Sequence, residues 1–548
     1  MGAFGSVPEM TFETRLTPQM IDEFTRAGHW RDETFYDLFL TQVRANPGKI
    51  AVVDGQGSYT YAAIDDAVRR TASFFKAQGI GPGDVVTIQL PNRVEFVYVY
   101  LALEHLGAVA NQINPDFRAR EVSYILRFSG AKVYVCQQSF KDHDYPDMVR
   151  RLRSDLPDLG VICVVDAPPT SDTISLREGL ARSQPLPEAD WVRMNANDIF
   201  RMAFTSGTTG NPKCVLHSFN TTLPAMRFNV RDMGDTADDV FLVYLPIGLN
   251  WGYLELMQAL SIGARAVLLD RFSGRAALEL IERERVTKIS TAPASIIAML
   301  NDPELNRFDL SSLRVAITGG ASCPVETLRE FTERMNGRII ELYGMLETGY
   351  QAYTRFSDDP EEVNGTIGRC VEGMGLRLLD ESSEDVPPGG EGDIAAYGPS
   401  VHLGYHNNPA ANRESFTTDG WFRSGDLGTF ADTKGNVRIV GRRKEIINRG
   451  GKKFFPREIE EILYTHPKIM HAAMVGVKDG RLGERNCLCV IPKSGETVTL
   501  EELIDFLKGE VANYKLPERL EIVDELPFTA TGKLQRFELT RRIESLDG

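Results

Sequence analysis

The sequence feature that most constrains this chain is a loop, Thr205–Lys213, that combines glycines with small hydroxyl residues and ends in a lysine. Apolar segments typical of buried strands flank it, Ile199–Phe204 before the loop and Cys214–Leu216 after it. Glycine lets backbone N–H groups approach an oxyanion, while hydroxyl and ammonium groups add donors and positive charge. The sequence therefore predicts a strand–loop–strand unit that binds phosphate groups.

This loop differs from the P-loop of the common nucleotide-hydrolysing enzymes. The P-loop has glycine, lysine and serine or threonine in direct succession. Here Asn211 and Pro212 separate Gly210 from Lys213, and Cys214 stands where the P-loop has its metal-binding hydroxyl. A surface turn rich in serine, threonine and glycine is the alternative to a phosphate-binding loop, so the other motifs must decide between them.

Length, charge and cysteine usage narrow the class of protein. A chain of 548 residues is too long for a single core, so two or more domains are expected. The net charge of −15 disfavours a nucleic-acid partner, because binding to phosphodiesters needs a basic face. No run of about 18 apolar residues lacks polar breaks, so no membrane span is predicted. The seven cysteines are scattered and the N-terminus has no apolar signal core, which favours reduced thiols and a cytoplasmic location.

Helical and strand patterns alternate from about residue 59 onwards. Ile64–Lys76 and Val94–Leu106 have helical apolar spacing, and the apolar segments Val85–Leu90 and Ala108–Gln112 follow them as predicted strands. This alternation predicts an α/β fold with mostly parallel sheets covered by helices.

The pattern changes in the last third of the chain. Frequent glycines and short strands in residues 365–440 predict a small antiparallel sheet or β-barrel. Predicted helices at Pro456–Leu463 and Leu500–Val511, with strands between them, indicate a small α+β unit. We therefore expect a large N-terminal domain, residues 1–441, and a small mobile C-terminal domain, residues 442–548.

Two segments of the large domain carry side chains suited to nucleotide chemistry. In Glu341–Gly349, Tyr343 could stack on a purine and Glu347 could hold Mg²⁺, which prefers carboxylate oxygen. The alternative there is a strand-to-loop junction with a solvated glutamate. In Gly420–Gly428, Asp426 could accept hydrogen bonds from both ribose hydroxyls, or it could simply form a turn.

Two segments near the C-terminus are basic. Gly441–Gly451 contains Arg442 and Lys444 and is otherwise explained as a solvated linker. Leu526–Leu534 contains Lys533, which is otherwise explained as a solvated charge on a flexible loop.

These five segments occur in the order and approximate spacing of the acyl-adenylate-forming superfamily, which includes acyl-CoA synthetases, adenylation domains and firefly luciferase. The resemblance runs from about residue 59 to residue 536. Arg481–Glu484 and Gly404-Tyr405 resemble the acyl-CoA synthetases. Gly28-His29-Trp30 and Pro212–Ser218 are most similar to bacterial short- and medium-chain or alicyclic acid–CoA ligases.

The resemblance implies a two-step reaction that uses ATP, Mg²⁺ and coenzyme A. A carboxylic acid is first activated as acyl-AMP with release of pyrophosphate, and the acyl group then passes to coenzyme A with release of AMP. The fold implied is a large domain with a C-terminal domain that rotates about one hinge residue, which matches Lys444. A homodimer is a further expectation.

The resemblance also implies roles for individual residues. The expected catalytic residues are Lys533, Glu347 and Thr348. Mg²⁺ is expected at Glu347 and Thr205, and coenzyme A at Gly450 and Gly451. The acyl group is expected against Asn250, Trp251, Gly319 and Gly344. The expected ATP-binding residues are Thr205, Ser206, Gly207, Thr208, Thr209, Gly210, Lys213, Gly319, Gly320, Ala321, Glu341, Tyr343, Gly344, Asp426, Arg442 and Lys533.

The sequence departs from the family pattern mainly near the acyl group. Cys214 replaces the usual glycine after the loop lysine, and Leu249 stands where a histidine is common. Trp251 would shorten an acyl tunnel, so a cyclic, aromatic or short- to medium-chain acid is expected. Asn250 lends support to the nearest alternative, an aryl-acid AMP ligase that loads the phosphopantetheine of a carrier protein. The combination of Lys533, Glu347 and Asp426 argues against a protein that only binds nucleotide.

Overall fold

The structure is a computed structural model that describes residues 12–205, 212–320, 323, 325–363, 365–528 and 534–546. Its helices are α1 (Pro18–Arg26), α2 (Phe35–Ala45), α3 (Tyr61–Ala77), α4 (Glu95–Leu106), α5 (Ala119–Ser129), α6 (Tyr145–Arg151), α7 (Leu176–Arg182), α8 (Phe219–Met233), α9 (Asn250–Ser261), α10 (Gly274–Glu284), α11 (Pro293–Leu300), α12 (Val325–Met335), α13 (Pro409–Ser415), α14 (Pro456–Leu463), α15 (Leu500–Leu507) and α16 (Arg536–Ser545). Within the described residues, no helix combines the length and apolar character needed to cross a membrane.

The strands alternate with these helices along the first part of the chain. They are β1 (Ile50–Asp54), β2 (Gly57–Thr60), β3 (Val85–Gln89), β4 (Val109–Gln112), β5 (Val133–Cys136), β6 (Ser139–Phe140), β7 (His143–Asp144), β8 (Val161–Val164), β9 (Ile174–Ser175), β10 (Ile199–Phe204), β11 (Cys214–Ser218), β12 (Val240–Val243), β13 (Arg265–Leu268), β14 (Lys288–Thr291), β15 (Val315–Gly319), β16 (Arg338–Met345), β17 (Gly349–Tyr353) and β18 (Arg369–Cys370). They continue as β19 (Gly375–Leu379), β20 (Gly392–Tyr397), β21 (Phe422–Phe430), β22 (Val437–Arg442), β23 (Ile447–Arg449), β24 (Lys452–Phe454), β25 (Ile469–Asp479), β26 (Gly483–Pro492) and β27 (Arg519–Ile522).

Two large sheets form the body of the molecule. The first has the order β11-β10-β4-β3-β5-β8-β9, and only its edge pair β10–β11 is antiparallel. The second has the order β18-β17-β16-β15-β14-β12-β13-β1-β2, with a parallel centre and antiparallel edges. The predicted α/β fold with mostly parallel sheets is confirmed.

Both large sheets contribute to one hydrophobic core. Side chains of β3 and β10 from the first sheet and of β12 and β15 from the second belong to the same buried cluster. Helix α4 lies in this cluster and is buried at every position from Phe96 to Leu106. Apart from Glu104 and His105, these residues are apolar or aromatic, which suits a helix that is buried on all sides.

The glycine-rich region forms the four-stranded antiparallel sheet β19-β20-β21-β22. The prediction allowed a sheet or a small β-barrel. The four-stranded antiparallel sheet is confirmed. Val437 on β22 also exchanges backbone hydrogen bonds with Ile367 and Gly368, just before β18, and closure into a barrel stays a prediction.

The C-terminal segment has its own core. Strands β24-β23-β26-β25, with β27 beside β26, form a sheet covered by α14 and α15 on one face and by α16 on the other. The helix predicted to reach Val511 ends at Leu507, because Lys508 is extended and Gly509 has a φ of +91°. The boundary at residues 441–442 stays a prediction.

Candidate active site

The two strands that flank the predicted phosphate-binding loop hold its ends together. β10 and β11 are antiparallel, with Phe204 opposite Cys214. At the base of the loop, the Thr205 N–H donates to the Lys213 carbonyl at 3.0 Å and the Lys213 N–H donates to the Thr205 hydroxyl at 3.1 Å. The expected phosphate-binding residues between them, Ser206, Gly207, Thr208, Thr209 and Gly210, lie outside the described residues.

An ammonium, a phenol and a carboxylate meet beside this base. Lys213 Nζ lies 4.5 Å from the ring centroid of Tyr405, and the Tyr405 hydroxyl donates to Glu347 Oε1 at 3.0 Å. Burial raises the pKa of Glu347, against the opposing effects of the Tyr405 hydrogen bond and the Lys213 charge. Burial also lowers the pKa of Lys213, while Glu347 acts to raise it. The Lys213 ammonium and the Glu347 carboxylate therefore stabilise each other's charge at a position with little access to water.

Tyr405 is a site residue that the sequence analysis missed. The chain after β20 returns to β11, where the Leu216 N–H donates to the Gly404 carbonyl and the His406 N–H donates to the Cys214 carbonyl. This bridge brings Tyr405 beside Lys213 from a distant part of the sequence. The pair Gly404-Tyr405 was noted only for its similarity to acyl-CoA synthetases. That similarity did not indicate that Tyr405 contacts Lys213 and Glu347.

The turn that carries Glu347 and Thr348 is held by three other elements. It joins β16 to β17, and its Met345 carbonyl accepts from the Asn250 amide at 3.3 Å. The Leu346 carbonyl lies 2.7 Å from His217 Nε2, and the Glu347 carbonyl accepts from the His402 N–H at 2.8 Å. Thr348 is fully buried. The turn is therefore fixed in position by protein contacts alone.

A second polar cluster lies where β16 meets the four-stranded sheet. Asp426 on β21 stands opposite Arg442 on β22, and Arg442 Nε lies 2.6 Å from Asp426 Oδ1. The Tyr343 hydroxyl donates to Asp426 Oδ2 at 2.8 Å. Burial, reinforced by Asp426, raises the pKa of Tyr343, so this phenol stays a donor. Three residues expected at the nucleotide are thus brought into direct contact.

The residues expected at the acyl group also come together. Asn250 and Trp251 begin helix α9, and Asn250 reaches the Met345 carbonyl next to Gly344. A Cβ on Gly319 would lie 3.3 Å from the Trp251 ring but only 2.5 Å from the Leu342 carbonyl. A Cβ on Gly344 would lie 2.1 Å from the Gly349 carbonyl. Packing within the protein therefore accounts for glycine at positions 319 and 344, without any contact to a ligand.

The remaining predicted residues are spread over several places. Gly320 follows β15 with a φ of +78°, and burial raises the pKa of Glu341 to about 8. Lys444 lies in a single turn of 3₁₀ helix, Arg443–Glu445, directly after β22. Gly450 and Gly451 form the turn between β23 and β24, where the Gly450 N–H donates to the Leu482 carbonyl at 2.8 Å. Lys533 and Ala321 lie outside the described residues.

The donor set suits a magnesium ion that is shared with substrate. Mg²⁺ is usually bound by one or two carboxylates together with substrate phosphates and water. Glu347 supplies one half-buried carboxylate close to the predicted phosphate-binding loop. No group of three or more histidine, cysteine, aspartate or glutamate side chains that could hold a metal occurs in the part of the chain that the structure describes. The described residues therefore suit a Mg²⁺ ion whose remaining ligands are substrate phosphates and water, and not an ion bound by protein ligands alone.

Comparison with known proteins shows the family to which the sequence is similar. The model of the AMP-binding enzymes matches residues 39–406, and that of the AMP-binding enzyme C-terminal domain matches residues 458–533. The medium-chain fatty-acid–CoA ligase of Escherichia coli (strain K12) is 36% identical over 526 residues, covering 95% of this chain and 92% of the ligase. The 2,3-dihydroxybenzoate-AMP ligase of Bacillus subtilis (strain 168) is 32% identical over 532 residues, covering 96% of each chain. The crystal structure of the anthranilate CoA ligase AuaEII in complex with anthranoyl-AMP has a TM-score of 0.86 at 26% identity, covering 95% of this chain and 99% of that one.

Proposed function

The chain is a member of the AMP-binding enzyme family, and we propose that it is an ATP-dependent carboxylic acid–CoA ligase. The family that the sequence motifs predicted is thereby confirmed. The observation that carries the proposal is the contact of buried Tyr405 with half-buried Lys213 and Glu347 at the base of the predicted phosphate-binding loop. This contact supplies an ammonium group suited to the phosphates of a nucleoside triphosphate and a carboxylate suited to its metal ion.

The proposed reaction solves a leaving-group problem. A carboxylate resists attack by a thiol, because oxide would have to leave. When the carboxylate oxygen attacks the α-phosphorus of ATP, the bond to pyrophosphate breaks and a mixed anhydride with AMP forms. The thiol of coenzyme A then attacks the acyl carbon, gives up its proton and expels AMP. Each step has a stable leaving group.

The phosphate site gains strength from burial. Electrostatic attraction grows as the effective dielectric constant falls, so Lys213 attracts phosphate oxygens more strongly here than in water. We assign the β- and γ-phosphates to the loop Thr205–Lys213 and the magnesium position to Glu347 and Thr205. Bound Mg²⁺ would offset charge on the phosphate oxygens. The Tyr405 hydroxyl orients the Glu347 carboxylate for this role.

The second cluster suits the ribose. Asp426 Oδ1 pairs with Arg442 Nε, and Oδ2 accepts from the Tyr343 hydroxyl and, at 3.5 Å, from Arg442 Nη2. Oδ1 keeps further capacity to accept a ribose hydroxyl. We assign the adenine to the surface formed by Gly319, Gly320, Ala321 and Tyr343. We assign Thr348 to the α-phosphate. We assign Lys533 to a contact with both the α-phosphate and the carboxylate of the acid. Glu341 and Gly344 lie on the same strand, β16, as Tyr343.

The proposed substrate is a compact carboxylic acid. The Trp251 ring stands against Gly319 and packs on two buried clusters, which leaves little depth beyond it. We assign Asn250 and Gly344 to the same side of the proposed acyl pocket as Trp251 and Gly319. The relative named for medium-chain fatty acids and the structure that holds anthranoyl-AMP accept a chain and a ring, respectively. A cyclic, aromatic or short- to medium-chain acid is therefore proposed.

The acceptor of the acyl group separates the two candidate functions. The proposed ligase uses coenzyme A, with Gly450 and Gly451 beside its pantetheine. The relative that is a 2,3-dihydroxybenzoate-AMP ligase, together with Asn250, favours the alternative of an aryl-acid ligase that loads a carrier protein. The domain limits, a homodimer and a cytoplasmic location stay predictions from the sequence.

A panel of acids tests the proposal. Exchange of labelled pyrophosphate into ATP is measured for each acid without coenzyme A, and AMP formation is measured with coenzyme A or with a phosphopantetheinylated carrier protein. We expect exchange with compact ring or medium-chain acids and AMP formation with coenzyme A. AMP formation with the carrier protein alone would favour the alternative. Preference for acids of about twelve CH₂ groups beyond a short chain would contradict the proposed pocket.

A further inference from the structure

We propose that Arg201, a buried arginine on β10, is a positioning residue that fixes the Asn250 amide so that it presents N–H to the acyl group. The enzyme would then select acids that carry an oxygen acceptor on the ring or chain, such as a keto or hydroxyl oxygen. This inference rests on the proposed function, because it assigns Asn250 to the acyl pocket.

The partners of Arg201 among the described residues are neutral. The arginine is fully buried, and its Nη2 donates to Asn250 Oδ1 at 2.6 Å. The Gln112 amide, oriented with its oxygen towards the guanidinium, accepts from Nε at 2.6 Å and from Nη2 at 3.1 Å. The guanidinium carbon lies 4.2 Å from the ring centroid of Tyr253. A buried cation needs such oriented dipoles, so these contacts are costly to break.

The chemistry of guanidinium settles which way the Asn250 amide points. Arginine has donors and no acceptor, so the atom of Asn250 that faces it must be the oxygen. The amide nitrogen is consequently turned away from Arg201, and one of its N–H bonds donates to the Met345 carbonyl at 3.3 Å. The second N–H has no partner among the described residues, so a ligand can accept from it. Rotating the amide would set a nitrogen against a buried cation.

The surroundings of Asn250 contain a second buried donor. The indole Nε1 of the adjacent Trp251 is buried and has no hydrogen-bond partner among the described residues. Asn250 itself is only half-buried, at the first position of α9 and beside the turn that carries Glu347. A donor-rich end of the acyl pocket discriminates against acids that leave its N–H groups unpaired. Loss of one such hydrogen bond corresponds to about tenfold in kcat/KM.

Matched acids and three variants test this inference. Pyrophosphate exchange is measured for cyclohexanecarboxylate and its ring-oxo derivatives, and for benzoate and its hydroxy derivatives. We expect the wild type to prefer at least one acceptor-bearing acid over its parent by about tenfold. Arg201→Met should abolish that preference and leave the parent acid nearly as active, whereas Arg201→Lys, which can still donate to Asn250, should keep part of it.

Asn250→Asp supplies a test that does not depend on removing Arg201. The carboxylate keeps the contact with Arg201 but replaces the N–H by an oxygen, so acceptor-bearing acids should become worse than their parents. An Arg201→Met variant that loses activity equally with all acids, or an unchanged preference in Asn250→Asp, would overturn the inference. Exchange with many acids but no acceptor preference in the wild type would also overturn it. Absence of exchange with every acid would instead contradict the proposed function.

Discussion

Burial sets the chemical character of the charged residues in the site. Glu347 and Lys213 share a poorly solvated place, where burial raises the pKa of the carboxyl and lowers that of the ammonium. Tyr405 stands between them and contacts both. The hydrogen bond from the phenol opposes the rise in the pKa of the Glu347 carboxyl and fixes the orientation of that group. The ionised form that it favours is the one that the proposed metal and phosphate chemistry requires.

Tyr405→Phe should weaken the proposed use of ATP while leaving the fold intact. A hydrogen bond to a charged group contributes about 1.5–3 kcal/mol, so kcat/KM for pyrophosphate exchange should fall by about tenfold or more. The pKa of Glu347 should also rise further, because the lost hydrogen bond lowered it. Activity should then be lost at a higher pH than in the wild type as the solution is acidified.

The matched control is Tyr397→Phe, which removes an exposed phenol that donates to Glu23 at 2.8 Å. This control should leave both the rate and the pH profile unchanged. Similar losses in the two variants would assign the effect of Tyr405→Phe to packing rather than to Glu347.

Lys533→Ala should separate the two proposed half-reactions. The lysine is assigned to the charge that develops during attack on the α-phosphorus, and losing one such preorganised contact costs about 10²–10³ in rate. Thioester formation from added acyl-AMP and coenzyme A should be spared. Equal losses in both half-reactions would remove Lys533 from its assigned role.

Residue types could be predicted from the sequence where a short motif contains them, as for Lys213, Glu347 and Asp426. Their roles stay predictions, but the structure places the first two side by side through one phenol. Tyr405 and Arg201 could not be predicted in the same way. The first depends on a return of the chain to β11, and the second on a contact between β10 and α9. Such contacts leave no periodic pattern in the sequence.

Among the elements, the strand before the loop and helix α14 were predicted to the residue, because each has a clear apolar pattern and a clear end. The end of α15 was missed because the apolar pattern continues past Leu507, whereas the backbone becomes extended at Lys508. Frequent glycines and short strands predicted the four-stranded antiparallel sheet, but they do not determine whether such a sheet closes into a barrel. Closure depends on pairing between edge strands.

The short 3₁₀ turn Arg443–Glu445 is the element on which the proposed rotation depends. Arg536 Nε donates to Glu445 at 3.0 Å and Arg536 Nη2 donates to Glu460 at 2.8 Å. The chain that follows the predicted hinge residue Lys444 is therefore tied to the C-terminal core. Lys444→Pro should obstruct the rotation, because proline fixes φ near −65°. Pyrophosphate exchange should survive and acyl-CoA formation should fail.

Lys444→Ala is the control for the hinge, because it removes the side chain and keeps backbone freedom. It should support both half-reactions. A Lys444→Pro variant that produces acyl-CoA at the wild-type rate would place the hinge elsewhere.

At the scale of the molecule, the large domain buries acidic groups that oppose its stability. Glu104 on α4 is buried, with Oε2 accepting from the Tyr36 N–H at 2.9 Å and Oε1 without a partner among the described residues. Burial raises its pKa to about 8. Because the folded state then binds the proton more tightly than the unfolded state, stability should fall as the pH rises from about 4.5 to about 8.

Glu104→Gln should remove this pH-dependent term. The free energy of unfolding of the variant, relative to the wild type, should rise by roughly 2–3 kcal/mol between about pH 5.5 and about pH 8, since one pKa unit corresponds to about 1.36 kcal/mol. Denaturant unfolding at the two pH values measures it. The exposed Glu279→Gln on α10 is the control, and an equal change in both variants would contradict the account of Glu104.

In the first step of the proposed reaction, a carboxylate oxygen attacks the α-phosphorus of ATP. Acid labelled with heavy oxygen in its carboxylate, incubated with ATP, Mg²⁺ and coenzyme A, tests this directly through mass spectrometry of the nucleotide products. We expect one heavy oxygen atom in the phosphate of AMP and none in pyrophosphate. Formation of ADP with the label in inorganic phosphate, or of AMP without the label, would contradict it.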